Sequence, residues 1–279
     1  MVRSKNYLKT KKILVVCHDA GGADVISSWI FVNKLKNFNY YIKGPSIKIF
    51  KDKLKKIKVL NKIKLSSYDL IITGTSLINN LELKIIKKAK RLKIPTYTFL
   101  DHWVNYKKRF LRDGKLVLPN QIIVLDKYAQ VLAKKKFKNL KINLINDCRK
   151  TFFKKKYKIN NIKEMKNTFL YFSSNYNLIN KNRDENILKK FIKFLKISKF
   201  KNYKIYIKTH PSEFQNKYVR FFDNKTIFKD KSKNIIESIS KYSSFFGSDS
   251  MALVYAKYAN KKVYNIKIKK KNDIPNTFF

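Results

Sequence analysis

Three histidines occur in 279 residues, at 18, 102 and 210, and each follows a short apolar run: "ILVVC", "TYTFLD" and "YIKT". Imidazole is the side chain that changes charge near neutral pH, so these positions are candidates for proton transfer or anion binding. In "CHDAGGADVISSW", His18 and Asp19 can act as a general base or position a hydroxyl, while Gly21 and Gly22 let a ligand approach the backbone. Free N–H groups of a helix starting there can face a phosphate, a carboxylate or a sugar hydroxyl. The stretch is neither GxGxxG nor a P-loop, and it also fits a tight turn closed by a capping Asp. In "FLDHWVNYKKRF", Asp101 and His102 form a second candidate acid–base pair. Trp103 and Tyr106 are suited to stacking on a sugar or base face, and Arg109 and Arg112 to holding a phosphate or carboxylate. An aromatic-packed loop explains the same residues. "GTSLINN" adds the hydroxyls of Thr75 and Ser76 beside Gly74, which ordinary helix capping also accounts for.

Two later stretches carry anion-binding chemistry. In "IKTHPSE", Pro211 suits the first position of a helix, leaving nearby N–H groups and His210 to face an anion. In "FFGSDSMALVYA", Gly247, Ser248 and Ser250 precede a helix, so two hydroxyls and a helix N-terminus can hold a phosphate. Ser173, at the end of "TFLYFSS", joins this group.

The elements that must position these residues alternate between short apolar runs and longer amphipathic segments, the pattern of α/β proteins with parallel sheets. "KILVVC", "YYIKG", "YDLIITG", "IPTYTFLD" and "QIIVLD" read as strands, and "VLNKIKL" as holding a further one. "GGADVISSWIFVNKL", "LINNLELKIIKKAKRL" and "KYAQVLAKKK" read as helices between them. The charged stretch 146–167 breaks the alternation and reads as a linker. The pattern then restarts with "TFLYFSS", "NYKIYIKTHP", "SSFFGS" and "KKVYNIKI" as strands. The expected fold is therefore α/β: two Rossmann-like domains, residues 1–145 and 168–279, with mainly parallel sheets facing a cleft. In such sheets ligands sit beyond the carboxyl ends of the strands, where the singled-out residues fall.

Composition narrows the function classes. Hydrophobic content of 44% and aromatic content of 14% support real cores, excluding a disordered polybasic chain. The net charge of +47 invites a nucleic-acid reading. Only seven of the 65 basic residues are Arg, however, and base and phosphate readers favour the Arg fork. The abundance of Lys, Asn, Ile, Tyr and Phe is what AT-rich codons produce. A specific nucleic-acid partner is not expected, whereas anionic substrates and peripheral contact with an anionic membrane are. Cys17 and Cys148 form no CxxC pair, and no His/carboxylate cluster has metal-ligand spacing, so no metal or cofactor is expected. No run approaches a membrane span or a secretory h-region, which points to the cytoplasm, at most at the inner membrane face.

The second half resembles the donor-nucleotide domain of GT-B fold glycosyltransferases. The likeness is to the bacterial capsule, sialyl-, Kdo- and glycerophosphate-transferase groups. It rests on Lys208-Thr209-His210-Pro211 ending a strand and Ser248-Asp249-Ser250 opening a helix. It implies that His210, Ser248 and Ser250, with Gly247 and Ser173, hold the donor nucleotide and its leaving phosphate, supported by Lys208 or Arg109. It further implies that residues 1–145 face the acceptor, with the Gly21-Gly22 turn bordering the cleft; Trp103, Tyr106 and Arg109 are expected to meet the acceptor on their own chemistry. Asp19 or Asp101 is the expected base, with His18 or His102 as partner or replacement. The function so implied is metal-independent transfer of a sugar from a nucleotide-sugar donor to a surface-polysaccharide or glycolipid acceptor. A sugar-nucleotide epimerase or hydrolase is the alternative that shares the same architecture.

Overall fold

A computed structural model describes residues 8–157, 164–174, 183–198, 200–211, 213–214, 216–248 and 250–266. Asp249 and residues 158–163 of the expected linker lie outside the described residues. The chain divides into two compact units, Met1–Phe152 and Phe153–Phe279.

The first unit holds β1 (Ile13–Cys17), β2 (Phe38–Ile42), β3 (Leu70–Thr73), β4 (Thr96–Phe99), a small hairpin β5 (Leu111–Arg112) and β6 (Lys115–Leu116), then β7 (Gln121–Val124) and β8 (Lys141–Leu144). Its main sheet runs β2-β1-β3-β4-β7-β8, with every pair parallel. A single parallel bridge from Tyr40 to Val59 is all that "VLNKIKL" contributes to the sheet. Its lysines alternate with apolar residues at an edge, where only one face has a core to join.

All five residues of β1 are buried. Ile13, Val15 and Cys17 pack with Ile26 and Trp29 of the helix Ala20–Val32. Leu14 and Val16 pack on the other side with Ile85 and Ala89 of the helix Leu81–Arg91. The two-residue alternation of a strand thus feeds two helical layers.

The second unit holds β9 (Met165–Phe172), β10 (Lys204–Lys208), β11 (Ile227–Lys229), β12 (Tyr242–Gly247) and β13 (Lys262–Asn265). The sheet order is β11-β10-β9-β12-β13, again all parallel. In each sheet the chain leaves its first strand toward one edge and later returns to the first strand's other side. The topological switch points therefore fall between β1 and β3 and between β9 and β12, where open parallel sheets bind ligands. Cys148–Lys156, inside the stretch expected to be a linker, is helical, with Phe152 and Phe153 buried. Strands β8 and β11 are additions to the sequence reading; both are short sheet edges. Among the described residues, no helix is long and apolar enough to cross a membrane.

Candidate functional site

At the first switch point, the turn after β1 meets the turn after β3, and a Cβ on Gly22 would fall 3.0 Å from the Gly74 Cα. His18 is fixed from three directions. Its N–H donates to Glu82 Oε1 at 2.7 Å, its carbonyl accepts from the Ser46 N–H at 3.1 Å, and its Nδ1 lies 2.8 Å from Asp19 Oδ1. With Asp19 accepting from Nδ1–H, a neutral imidazole carries its lone pair on Nε2. The sequence-predicted pair of His18 and Asp19 is therefore brought together, in a geometry suited to a general base.

Glu82 is the functional candidate that sequence reasoning missed. It is 2% exposed, and burial raises its carboxyl above the usual range, reinforced by the charge of Asp19 and opposed by its own N–H and that of His18. The signal was present, since Glu82 shares a helical face with Ile86 and Ala89 and is the single acid in "LELKIIKKAKR". Burial likewise raises the Cys17 thiol well above its ordinary value, so that thiol is an unreactive filler.

Asp101 and His102, by contrast, do not pair with each other in the structure's hydrogen bonds. Asp101 Oδ1 accepts from Thr75 Oγ1 at 3.2 Å and from Arg109 Nη1 at 3.1 Å, while His102 Nδ1 accepts from the Trp103 N–H at 3.0 Å. Arg109 Nη1 also reaches Thr75 Oγ1 at 2.9 Å, and its Nε donates to the Val104 carbonyl. The Asp101 carboxylate rests against Gly21 at the start of the helix Ala20–Val32, where a Cβ would lie 1.8 Å from its Oδ2. At Gly21, one of the two glycines expected to meet the acceptor, a protein carboxylate lies against the turn. Trp103 and Tyr106 are 5% and 4% exposed, and the indole N–H donates to Asp126 Oδ2 at 2.8 Å. Their faces are packed inside the unit rather than open to an acceptor, because Asp126, which also caps the helix Lys127–Lys136, draws the indole inward.

At the second switch point, Ser173 and Ser174 follow β9, and Ser174 Oγ donates to the Ser248 carbonyl after β12. The His210 N–H donates to Ser173 Oγ at 2.7 Å, and that hydroxyl donates to Glu213, whose N–H returns to the His210 carbonyl at 2.9 Å. Glu213 is paired in turn with Lys217. Ser173 is thus a bridge within the unit, with its hydroxyl committed to His210, Glu213 and the Lys208 carbonyl. Burial lowers the His210 pKa, with the charge of Glu213 pulling the other way, so the charged form of this imidazole is disfavoured. Lys208 Nζ contacts Asp230 Oδ2 and the Ser232 carbonyl, both at 2.9 Å, so its ammonium is spent on that buried carboxylate. Ser248 is fully buried, and Ser250 stands at the N-cap of the helix Met251–Tyr258 without a side-chain cap bond. Gly247 ends β12 beside them. Among the described residues, no group of three or more His, Cys, Asp or Glu side chains is placed to hold a metal ion.

No protein-family model matches the chain, and no curated protein matches its sequence. Solved structures do match its fold. UDP-GlcNAc 2-epimerase from Neisseria meningitidis, bound to UDP-GlcNAc, matches with a TM-score of 0.62 at 11% identity, over 94% of this chain and 83% of its own. The Methanocaldococcus jannaschii enzyme of the same name matches with a TM-score of 0.58 at 14% identity, over 90% and 82%. A kitacinnamycin glycotransferase matches with a TM-score of 0.55 at 10% identity, over 94% and 81%. These likenesses show a GT-B-like fold of two Rossmann-like units. They also correct the transferase expectation: UDP-GlcNAc 2-epimerases recur among the matching structures, including one from Rickettsia bellii, and favour the epimerase alternative.

Proposed function

We propose that the protein is a sugar-nucleotide epimerase acting on a UDP-linked amino sugar. The observation that carries the reading is the His18–Asp19 pair, with Glu82 behind it, at the switch point of the first sheet. The substrate class follows the UDP-GlcNAc named for structures of the same fold. Inverting a ring carbon breaks and remakes a C–H bond, which requires a group that takes a proton and a source that returns one on the opposite face. His18 Nε2, oriented by Asp19, takes the first role. The nucleotide phosphate is assigned to the second unit, to His210 and to Ser250 at the N-cap of the helix Met251–Tyr258, where burial disfavours the charged form of the imidazole.

The test is incubation of the purified protein with UDP-GlcNAc in D2O, followed by proton NMR. The expected result is an epimeric nucleotide sugar carrying deuterium at the inverted carbon. Absence of both epimer and solvent deuterium, together with no thermal shift from UDP, overturns the reading. A shift from CMP or GDP alone would move the substrate class instead.

A further inference from the structure

Glu82 is a buried titratable group to which the proton transfer just described gives no task. It lies in the first turn of the helix Leu81–Arg91 and is 2% exposed. One carboxylate oxygen takes the His18 N–H at 2.7 Å, while Oε2 is buried and accepts no hydrogen bond. A buried carboxylate used only as a structural brace is expected to have both oxygens satisfied, because an unsatisfied one costs free energy. The titratable groups facing it are His18 and Asp19 on the turn after β1 and the Cys17 thiol at that strand's end. The ring of His18 is held by Asp19 and its carbonyl by the Ser46 N–H, so Glu82 closes the remaining freedom of that residue.

We propose that Glu82 is a positioning residue for His18: its carboxylate clamps the His18 main chain and so holds the imidazole with Nδ1 on Asp19 and Nε2, beside Gly44, as the nitrogen left for proton transfer. The reaction served rests on the epimerase reading, but the clamp itself does not.

Because the chain has three histidines, its imidazole C2–H signals can be resolved one by one by NMR without substrate, with His18→Gln assigning the relevant signal. Glu82→Gln keeps an oxygen for the His18 N–H, whereas Glu82→Ala removes the clamp. The His18 C2–H signal should stay near its wild-type position in Glu82→Gln and move in Glu82→Ala, with His102 and His210 unmoved in both. In the epimerisation assay, kcat should fall no more than roughly tenfold for Gln and on the order of a hundredfold for Ala, with KM little changed. An unmoved His18 signal in folded Glu82→Ala, checked by circular dichroism, overturns the proposal, since a mere brace would lower Tm and leave the ring where it is. If the Ala variant does not fold, Glu82→Asp, which shortens the reach by one methylene, gives the same reading. A moved His18 signal in a protein without epimerase turnover would keep the clamp and dismiss the functional reading.

Discussion

Gly21→Ala tests whether the Asp101 carboxylate is a fixed part of the first unit. The new Cβ would fall 1.8 Å from Asp101 Oδ2 and 2.9 Å from its Cγ, far inside contact distance. The carboxylate is not free to swing aside. Thr75 and Arg109 hold its other oxygen at 3.2 and 3.1 Å, and Arg109 is only 8% exposed. Displacing it strips a buried guanidinium of its counter-ion, which costs about 3–5 kcal/mol. Exchanging Gly for Ala within a helix returns about 1 kcal/mol. The net destabilisation is then about 2–4 kcal/mol, or a fall in Tm of roughly 5–15 °C. Calorimetry and urea titration measure it. The decisive comparison repeats the substitution in an Asp101→Ala background, where no carboxylate is left to clash. There Gly21→Ala should be neutral or stabilising by about 1 kcal/mol. Equal costs in the two backgrounds, or no cost in either, would refute the reasoning.

Gly44→Ala combines a backbone φ of +59° with a Cβ placed 2.7 Å from His18 Nε2. It should cost roughly 1–2 kcal/mol and, by displacing the imidazole, about a hundredfold in epimerase turnover; unchanged turnover would remove His18 from the chemistry. His210→Ala should weaken UDP binding in calorimetric titration at least tenfold, and an unaltered affinity would take His210 out of the nucleotide site. Asp184 is pushed up to about 6 by burial, helped by Glu213 and opposed by Lys217. A raised folded-state pKa means that the folded chain holds a proton the unfolded chain releases. That stability is present below the ordinary value of 3.8 and lost as pH rises through about 6. Asp184→Asn should therefore match the wild type near pH 4 and exceed it above pH 7 by up to roughly 3 kcal/mol. Urea titrations that give a pH-independent difference would contradict this.

The central strands were legible because burial on both faces writes continuous apolar runs such as "ILVVC" and "LIIT". The edges were not: β8 carries two buried residues of four, and β11 is three residues long. Within the site, His18 and Asp19 were readable because they are adjacent. Glu82 pairs with His18 across 64 positions, a contact that only the parallel β1–β3 arrangement creates. Trp103 and Tyr106 were misplaced for a related reason. An aromatic beside Asp and His looks like a ligand platform until the distant Asp126 is seen to claim its N–H. Side-chain type was a good guide to chemistry and a poor one to direction.

The excess of lysine bears on what each unit can bind. Codon-driven gain of Lys raises charge everywhere and dilutes acids, yet Asp19, Glu82 and Asp101 all converge on the start of the helix Ala20–Val32. That helix has no acid in its own first turn. Its N-terminus favours negative charge, which its N-cap residue Asp19 and two other segments supply, with Arg109 as the cation bonded to Asp101. A phosphate arriving there would meet carboxylates instead of open N–H groups, whereas a neutral, hydroxyl-rich ring meets acceptors and a base. At the second switch point Glu213 is paired with Lys217, and burial disfavours the charged form of His210. The two switch points, alike in topology, thus differ in charge: three carboxylates gather at the first, whereas at the second the described acid beside His210 is matched by a lysine.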